Sequence, residues 1–222
     1  EGAVFTLLDN MERETDLRIN ISCTLDLNGK TIRSTGEYVP ALSTYYGTAV
    51  TIRGEGTVIS EQGHGFSVGG TTTLEGGTFI SGAANYGGVY VQAGKLIVTG
   101  EYVTIRNTGG GYGLAINYAQ SVQLSAGTYG GGTAVTVYGS TTLAGLLNQE
   151  GTSRVAYYKD NTTLVTEGLD GQTLPGGSYT VKACTHTGEG VCEYTYTPGT
   201  TTHQQTCLAC GKKWDEENCS FG

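Results

Sequence analysis

The sequence predicts an all-β chain, built as a right-handed parallel β-helix solenoid with a small Cys/His-rich subdomain at its C-terminal end. Three observations carry that prediction. A turn-centred phrase recurs as TLDLNGKTI from Thr24, AVTIRGEGTVI from Ala49, TTTLEGGTFI from Thr71, LIVTGEYVTI from Leu96 and SVQLSAGTY from Ser121. A second phrase, Gly-x-small-aliphatic, interleaves with it at Gly47–Val50, Gly65–Val68, Gly88–Val91, Gly113–Ile116 and Gly132–Val135. The composition fits many short strands joined by tight turns, with 37 Gly, 3 Pro, 15 Tyr and only 14% charged residues.

The residue after each turn falls at Thr31, Thr57, Thr78, Val103 and Thr128, an interval of about 21 to 26 residues. Two phrases keeping one period identify a solenoid. Each period holds two or three strand-length pieces and none of helix length, which excludes leucine-rich, ankyrin and tetratricopeptide repeats; the spacing is also too short for a propeller blade.

Taken in order, LDLNGKTI (Leu25–Ile32) opens the first full coil, with Asn28-Gly29 as a corner because both residues tolerate positive φ. Gly54, Gly76, Gly100 and Gly127 serve the later corners. Alternation sends Val50, Ile52, Val89, Val91, Val135 and Val137 inward, and Thr51, Arg53, Tyr90 and Thr136 outward. Cys23, alone on a strand, reads as a small buried apolar side chain. The solenoid is expected over residues 1–151. Residues 152–183 then supply capping strands, RVAYYKDNTTLV and GGSYTVKA, around a polar loop at Asp160-Asn161.

Residues 184–222 hold five of the six cysteines and two of the three histidines. Cys207-Leu-Ala-Cys210-Gly211 is a CxxCG knuckle, whose tight turn lets two thiolates face one ion. Cys184 and His186 complete a tetrahedral set across a loop. His203 and Cys219 are the alternative partners, in a more compact H-x3-C-x2-C-x8-C arrangement. A structural zinc is the expected cofactor, with no organic cofactor. A disulfide framework, or zinc combined with a Cys192–Cys219 bridge, stays open.

A formal net charge of -8 and the absence of any Lys/Arg cluster larger than a pair exclude nucleic acid as a partner. No apolar run approaches the ~20 residues a membrane helix needs, so no membrane insertion is expected. The chain opens in mid-rhythm at Glu1, which suggests a piece of a longer protein with flanking domains and a targeting signal elsewhere.

TLDLNGKTI followed by GGTFISG-like coils, over roughly residues 3–150, resembles the pectate-lyase-like β-helix modules of bacterial surface proteins, especially large Gram-positive ones. The tail is similar to Cys/His-rich segments of such proteins. The resemblance implies an extracellular or cell-surface setting. It does not fix a function, because helices of this kind include lyases, hydrolases, adhesins and tailspikes.

Two functions follow. The first is a non-catalytic module that binds carbohydrate or a host protein, or spaces a neighbouring domain. Tyr46, His64, Tyr86 and Tyr112 each precede a coil Gly and are expected to stack along one corner, with Tyr45, Tyr90 and Tyr138 nearby. The second is a polysaccharide lyase or glycoside hydrolase using Glu55, Glu75 and Glu101, which fall at equivalent turns, with Arg33 and Arg106 in another column. No Asp occurs between Asp26 and Asp160 to build the acidic clusters such lyases use, which favours the binding module.

Overall fold

In the structure, a computed structural model that describes residues 2–148, 154–186, 191–196, 198 and 200–218, the repeated phrases form a β-solenoid of about 6 turns. The first coil supplies β1 (Ala3–Thr6), β2 (Met11–Arg13) and β3 (Leu17–Ile19). The second supplies β4 (Cys23–Asp26), β5 (Lys30–Ser34) and β6 (Leu42–Thr44), and the third β7 (Ala49–Arg53), β8 (Gly56–Ser60) and β9 (Phe66–Val68). The fourth is β10 (Thr71–Leu74), β11 (Thr78–Ser81) and β12 (Gly87–Val91), and the fifth β13 (Lys95–Val98), β14 (Thr104–Asn107) and β15 (Tyr112–Ile116). The sixth has β16 (Ser121–Leu124) and a long β17 (Thr128–Val137) that serves both remaining faces.

Stacking in parallel gives three faces: β1-β4-β7-β10-β13-β16, β2-β5-β8-β11-β14-β17 and β3-β6-β9-β12-β15-β17. LDLNGKTI therefore belongs to the second coil. The first coil escapes a pattern reading because all four side chains of β1 are exposed, so burial imposes no alternation there. The column after the first turn is Thr31, Thr57, Thr78, Thr104 and Thr128. Val103 is instead a buried residue of a longer turn, closed by its N–H to Gly100 O at 3.2 Å.

The second phrase also divides. Val68, Val91 and Ile116 share one column of the third face, which Val137 continues, so Val135 falls on that face two residues early, whereas Val50 lies on the first. Glycine answers different needs at the two places. Gly47 has φ 81 with open space around it, while a Cβ on Gly88 would sit 2.5 Å from Arg106 O, so two backbones meet there.

All six residues expected to point inward are buried, in one core with Leu74, Phe66, Phe79 and Leu96. Cys23 is buried in the same core. Arg53 is exposed and Tyr90 half-buried. Thr136 points outward in register with Tyr90, as expected, but is covered there and hydrogen-bonds the Tyr138 side chain.

Past β17, Thr142 caps a short α1 (Leu143–Leu146) by accepting the Gly145 N–H at 3.2 Å. Leu143 and Leu146 lie against the last coil. Next come β18 (Val155–Lys159), β19 (Thr163–Leu164) and β20 (Thr173–Ala183), of which β20 pairs antiparallel with β17. Asp160 and Asn161 turn between β18 and β19 with φ 49 and 60, a conformation Asp and Asn tolerate. Tyr157 and Val181 extend the solenoid core, and the Tyr157 hydroxyl donates to Leu143 O at 3.2 Å. The tail is an antiparallel sheet of β21 (Cys192–Tyr196), β22 (Thr202–Cys207) and β23 (Glu217–Asn218).

A buried polar column, Ser34, Ser60, Ser81 and Asn107, closes the corner between the second and third faces. Ser60 Oγ donates to Val39 O at 2.8 Å, and Ser81 Oγ to Gly63 O at 2.8 Å. Asn107 donates to Ala83 O and Tyr86 O and accepts from Gly109 N–H and Gly111 N–H, all at 2.8 Å. These bonds fix the corner loops by satisfying backbone that the coils leave unpaired.

Candidate functional sites: an aromatic groove and a Cys/His centre

The loops fixed by that column carry Tyr38, His64 and Tyr86. Along the outside of the third face runs the column Arg18, Ser43, Ser67, Tyr90, Ala115 and Thr136. Ser43 and Ser67 are small, so the sheet is low there. Tyr38 and His64 rise on one side and Tyr45 and Tyr46 on the other, enclosing a groove of about 600 Å³ with Tyr90 at one end and Asp16 and Arg18 at the other.

The three outer tyrosines present their rings to solvent, Tyr38 at 68%, Tyr45 at 57% and Tyr46 at 70% exposure. His64 stacks on Tyr90 with centroids 4.3 Å apart and planes 7° from parallel, and meets the edge of Tyr86 at 4.9 Å. At the far end Arg18 Nε lies 3.1 Å from Asp16 Oδ2, which also accepts from Ser43 Oγ at 2.7 Å.

Tyr46, His64, Tyr86 and Tyr112 do not form one ladder. His64 and Tyr112 keep one register with Gly87 between them; Tyr86 lies one residue earlier, and Tyr46 stands at the corner after β6. Tyr46 and His64 instead face each other across the groove, while Tyr112 bonds Tyr138. Tyr38, Asp16 and Arg18 were not anticipated.

Gly87 N–H donates to His64 Nδ1 at 2.9 Å, which places the imidazole proton on Nε2. Burial pushes His64 down to about 4. In the unfolded chain it titrates near 6.5, so between these values the unfolded state binds more protons. The stability His64 contributes is therefore complete above about pH 6.5 and declines as pH falls toward 4, by up to about 3 kcal/mol. Thermal melts of wild type and His64→Phe from pH 7 to pH 4.5 check this. The wild type is expected to lose several degrees more than the variant, and parallel curves would refute it.

The carboxylates lie elsewhere. Glu55 and Glu75 line a hollow of about 300 Å³ together with Tyr102 and, among the described residues, no Lys or Arg. Glu101 opens onto a neighbouring one with Tyr102, Asn161 and Lys182. All three are exposed. Arg33 is in register with Arg106, and it pairs with Glu61 and with Glu12 at 3.8 Å.

In the tail, ligand atoms of Cys184, His186, Cys207 and Cys210 all lie within 4.8 Å of one another. Cys184 follows β20, Cys207 ends β22, and the knuckle closes by Gly211 N–H to Cys207 O at 2.8 Å, with Gly211 at φ 68. Arg154 Nη1 donates to Cys210 O at 3.2 Å, and Trp214 meets the His186 ring edge at 5.5 Å.

The three thiols are buried. Cys184 Sγ and Cys207 Sγ are 3.8 Å apart, and Cys210 Sγ is 3.5 Å from His186 Nδ1. Tetrahedral ligands at metal–sulfur 2.3 Å and metal–nitrogen 2.0–2.1 Å would be separated by about 3.8 Å and about 3.5 Å respectively. The residues thus fit a four-coordinate metal ion. Burial pushes the Cys184 thiol up to about 12 and raises Cys210 as well, which a dication would reverse. His203 packs with Tyr194 and Tyr196 on the hairpin, outside this group, and Cys219 lies outside the described residues. The five described cysteines are free thiols.

Comparison with protein-family models, curated proteins and solved structures finds no match to this chain.

Proposed function

We propose that the chain is a non-catalytic, extracellular module of a larger bacterial surface protein that binds carbohydrate along the third face, its tail held by a structural zinc. The observation that carries the binding reading is the groove. Exposed rings of Tyr38, Tyr45 and Tyr46 offer flat apolar faces to the C–H faces of sugars, while Asp16, Arg18 and Ser43 offer charged and neutral hydrogen-bonding groups to hydroxyls. His64 and Tyr90 are already stacked, so little side-chain freedom is lost on binding. The likeness of the coils and tail to Gram-positive surface modules agrees with this setting.

The enzyme alternative rests on Glu55, Glu75 and Glu101. Their exposure in solvated turns, with no Lys or Arg among the described residues lining the hollow of Glu55 and Glu75, provides little to raise an acid or hold a base.

Affinity electrophoresis on a polysaccharide panel, with released product assayed in the same samples, tests the proposal. Retention without product is expected, and Tyr46→Ala should weaken it about 10-fold with an unchanged melting temperature. Product release would replace this reading with the enzyme. Neither retention nor product would leave a protein ligand or a spacer.

A further inference from the structure

Among the described tail cysteines, Cys192 alone stands outside the four-residue metal set. It is half-buried, and the hairpin register places it directly opposite Cys207. Leu208 N–H donates to Val191 O at 2.8 Å, which makes Cys192 and Cys207 a non-hydrogen-bonded pair of the antiparallel ladder. Such pairs hold their Cα atoms about 4.5 Å apart with both side chains on one face, at the short end of the ~4.4–6.8 Å range a disulfide spans. Cys207 also lies 3.8 Å from Cys184 Sγ in the metal set. One sulfur cannot serve both bonds.

We propose that Cys192 and Cys207 make the tail a redox-controlled metal site, in which a disulfide between them and a bound ion exclude each other. This rests on the metal reading above. The oxidant is a small-molecule disulfide. The Cys192 thiolate attacks one of its sulfurs, forming a mixed disulfide and expelling one small thiolate. Cys207, leaving the metal, attacks Cys192 Sγ, which forms the Cys192–Cys207 bond and expels the second thiolate. Two protein sulfurs lose two electrons in all, and the small disulfide is reduced to two thiolates. One takes the Cys192 proton, while the other, because Cys207 leaves the metal as a thiolate, takes its proton from the solvent. Cys184, His186 and Cys210 remain as three ligands, too few to close a structural tetrahedral site.

The test uses the full chain, purified reduced and loaded with zinc, its metal content measured before oxidised glutathione is added. Zinc release is followed with a chromogenic chelator. Cleavage after Glu193 separates the two cysteines for disulfide mapping by mass spectrometry. One zinc per chain is expected, released in step with a Cys192–Cys207 linkage, and Cys192→Ser should load normally but release at least 10-fold more slowly. Equal release from Cys192→Ser, or a link from Cys192 to Cys219, would overturn the switch while leaving the metal site intact. Reduced protein holding no zinc would overturn the metal reading and the switch with it.

Discussion

Phe79→Ala is expected to lower the unfolding free energy of the solenoid by about 3–5 kcal/mol. Phe79 is fully buried on β11 and stacks on Phe66 with centroids 5.6 Å apart. It belongs to the inward column Ile32, Val58, Phe79, Ile105 and Tyr129, so a cavity there removes contacts above, below and across the core. Collapse would relieve the loss in a helical core. Here the rungs are held at about 4.8 Å by their hydrogen bonds, and neighbouring coils cannot close the gap without breaking them. Urea denaturation checks the value: the midpoint should fall with little change in slope, whereas Thr73→Ala, on the outer side of the first face, should change the unfolding free energy by less than ~0.5 kcal/mol. Equal midpoint shifts would mean that the coils repack freely.

The inward positions were legible because burial on one side of a strand imposes a period of two, and Val50, Ile52, Val89 and Val91 obey it. Register was less so. Val103 and Thr104 differ by a turn extension that leaves the apolar pattern intact, and Gly47 and Gly65 look alike in sequence although one permits a positive φ and the other a backbone contact. The buried Ser34–Asn107 column left no readable sign, since three Ser and one Asn at strand ends are ordinary turn residues until the register aligns them.

The same division separates the two sites. Cys184-x-His186 and Cys207-x-x-Cys210 are local motifs, each with geometry set by a few bonds, and the structure brings them together. The groove draws Asp16, Tyr38, Tyr46, His64 and Tyr90 from four different coils. Which of their rings meet depends on corner assignment, where the sequence reading grouped Tyr46 with Tyr86 and Tyr112. Cys192 was visible as a fifth tail cysteine, but its partner is fixed only by the β21–β22 register.

Chelation of the metal, or Cys207→Ala, is expected to unfold the tail while leaving the coils intact. The tail's own core is small: Ala156, Tyr158, Cys184, Val191, Cys207, Ala209 and Cys210, three of which belong to the Cys/His group that could hold the ion. Ordering a residue costs roughly 1–2 kcal/mol, more than so few apolar side chains can offset over this stretch, whereas a structural zinc contributes on the order of 10 kcal/mol. Protons oppose the ion. With burial holding the unliganded Cys184 thiol near 12, binding must displace protons, so occupancy falls as pH is lowered. At pH 7 with a strong chelator, amide protection across β21 and β22 should disappear and protease should cut beyond Ala183, while the β-sheet circular dichroism of the coils persists. A tail that stayed protected after its metal was stripped would mean that apolar packing or disulfides hold it, and the zinc reading would be wrong.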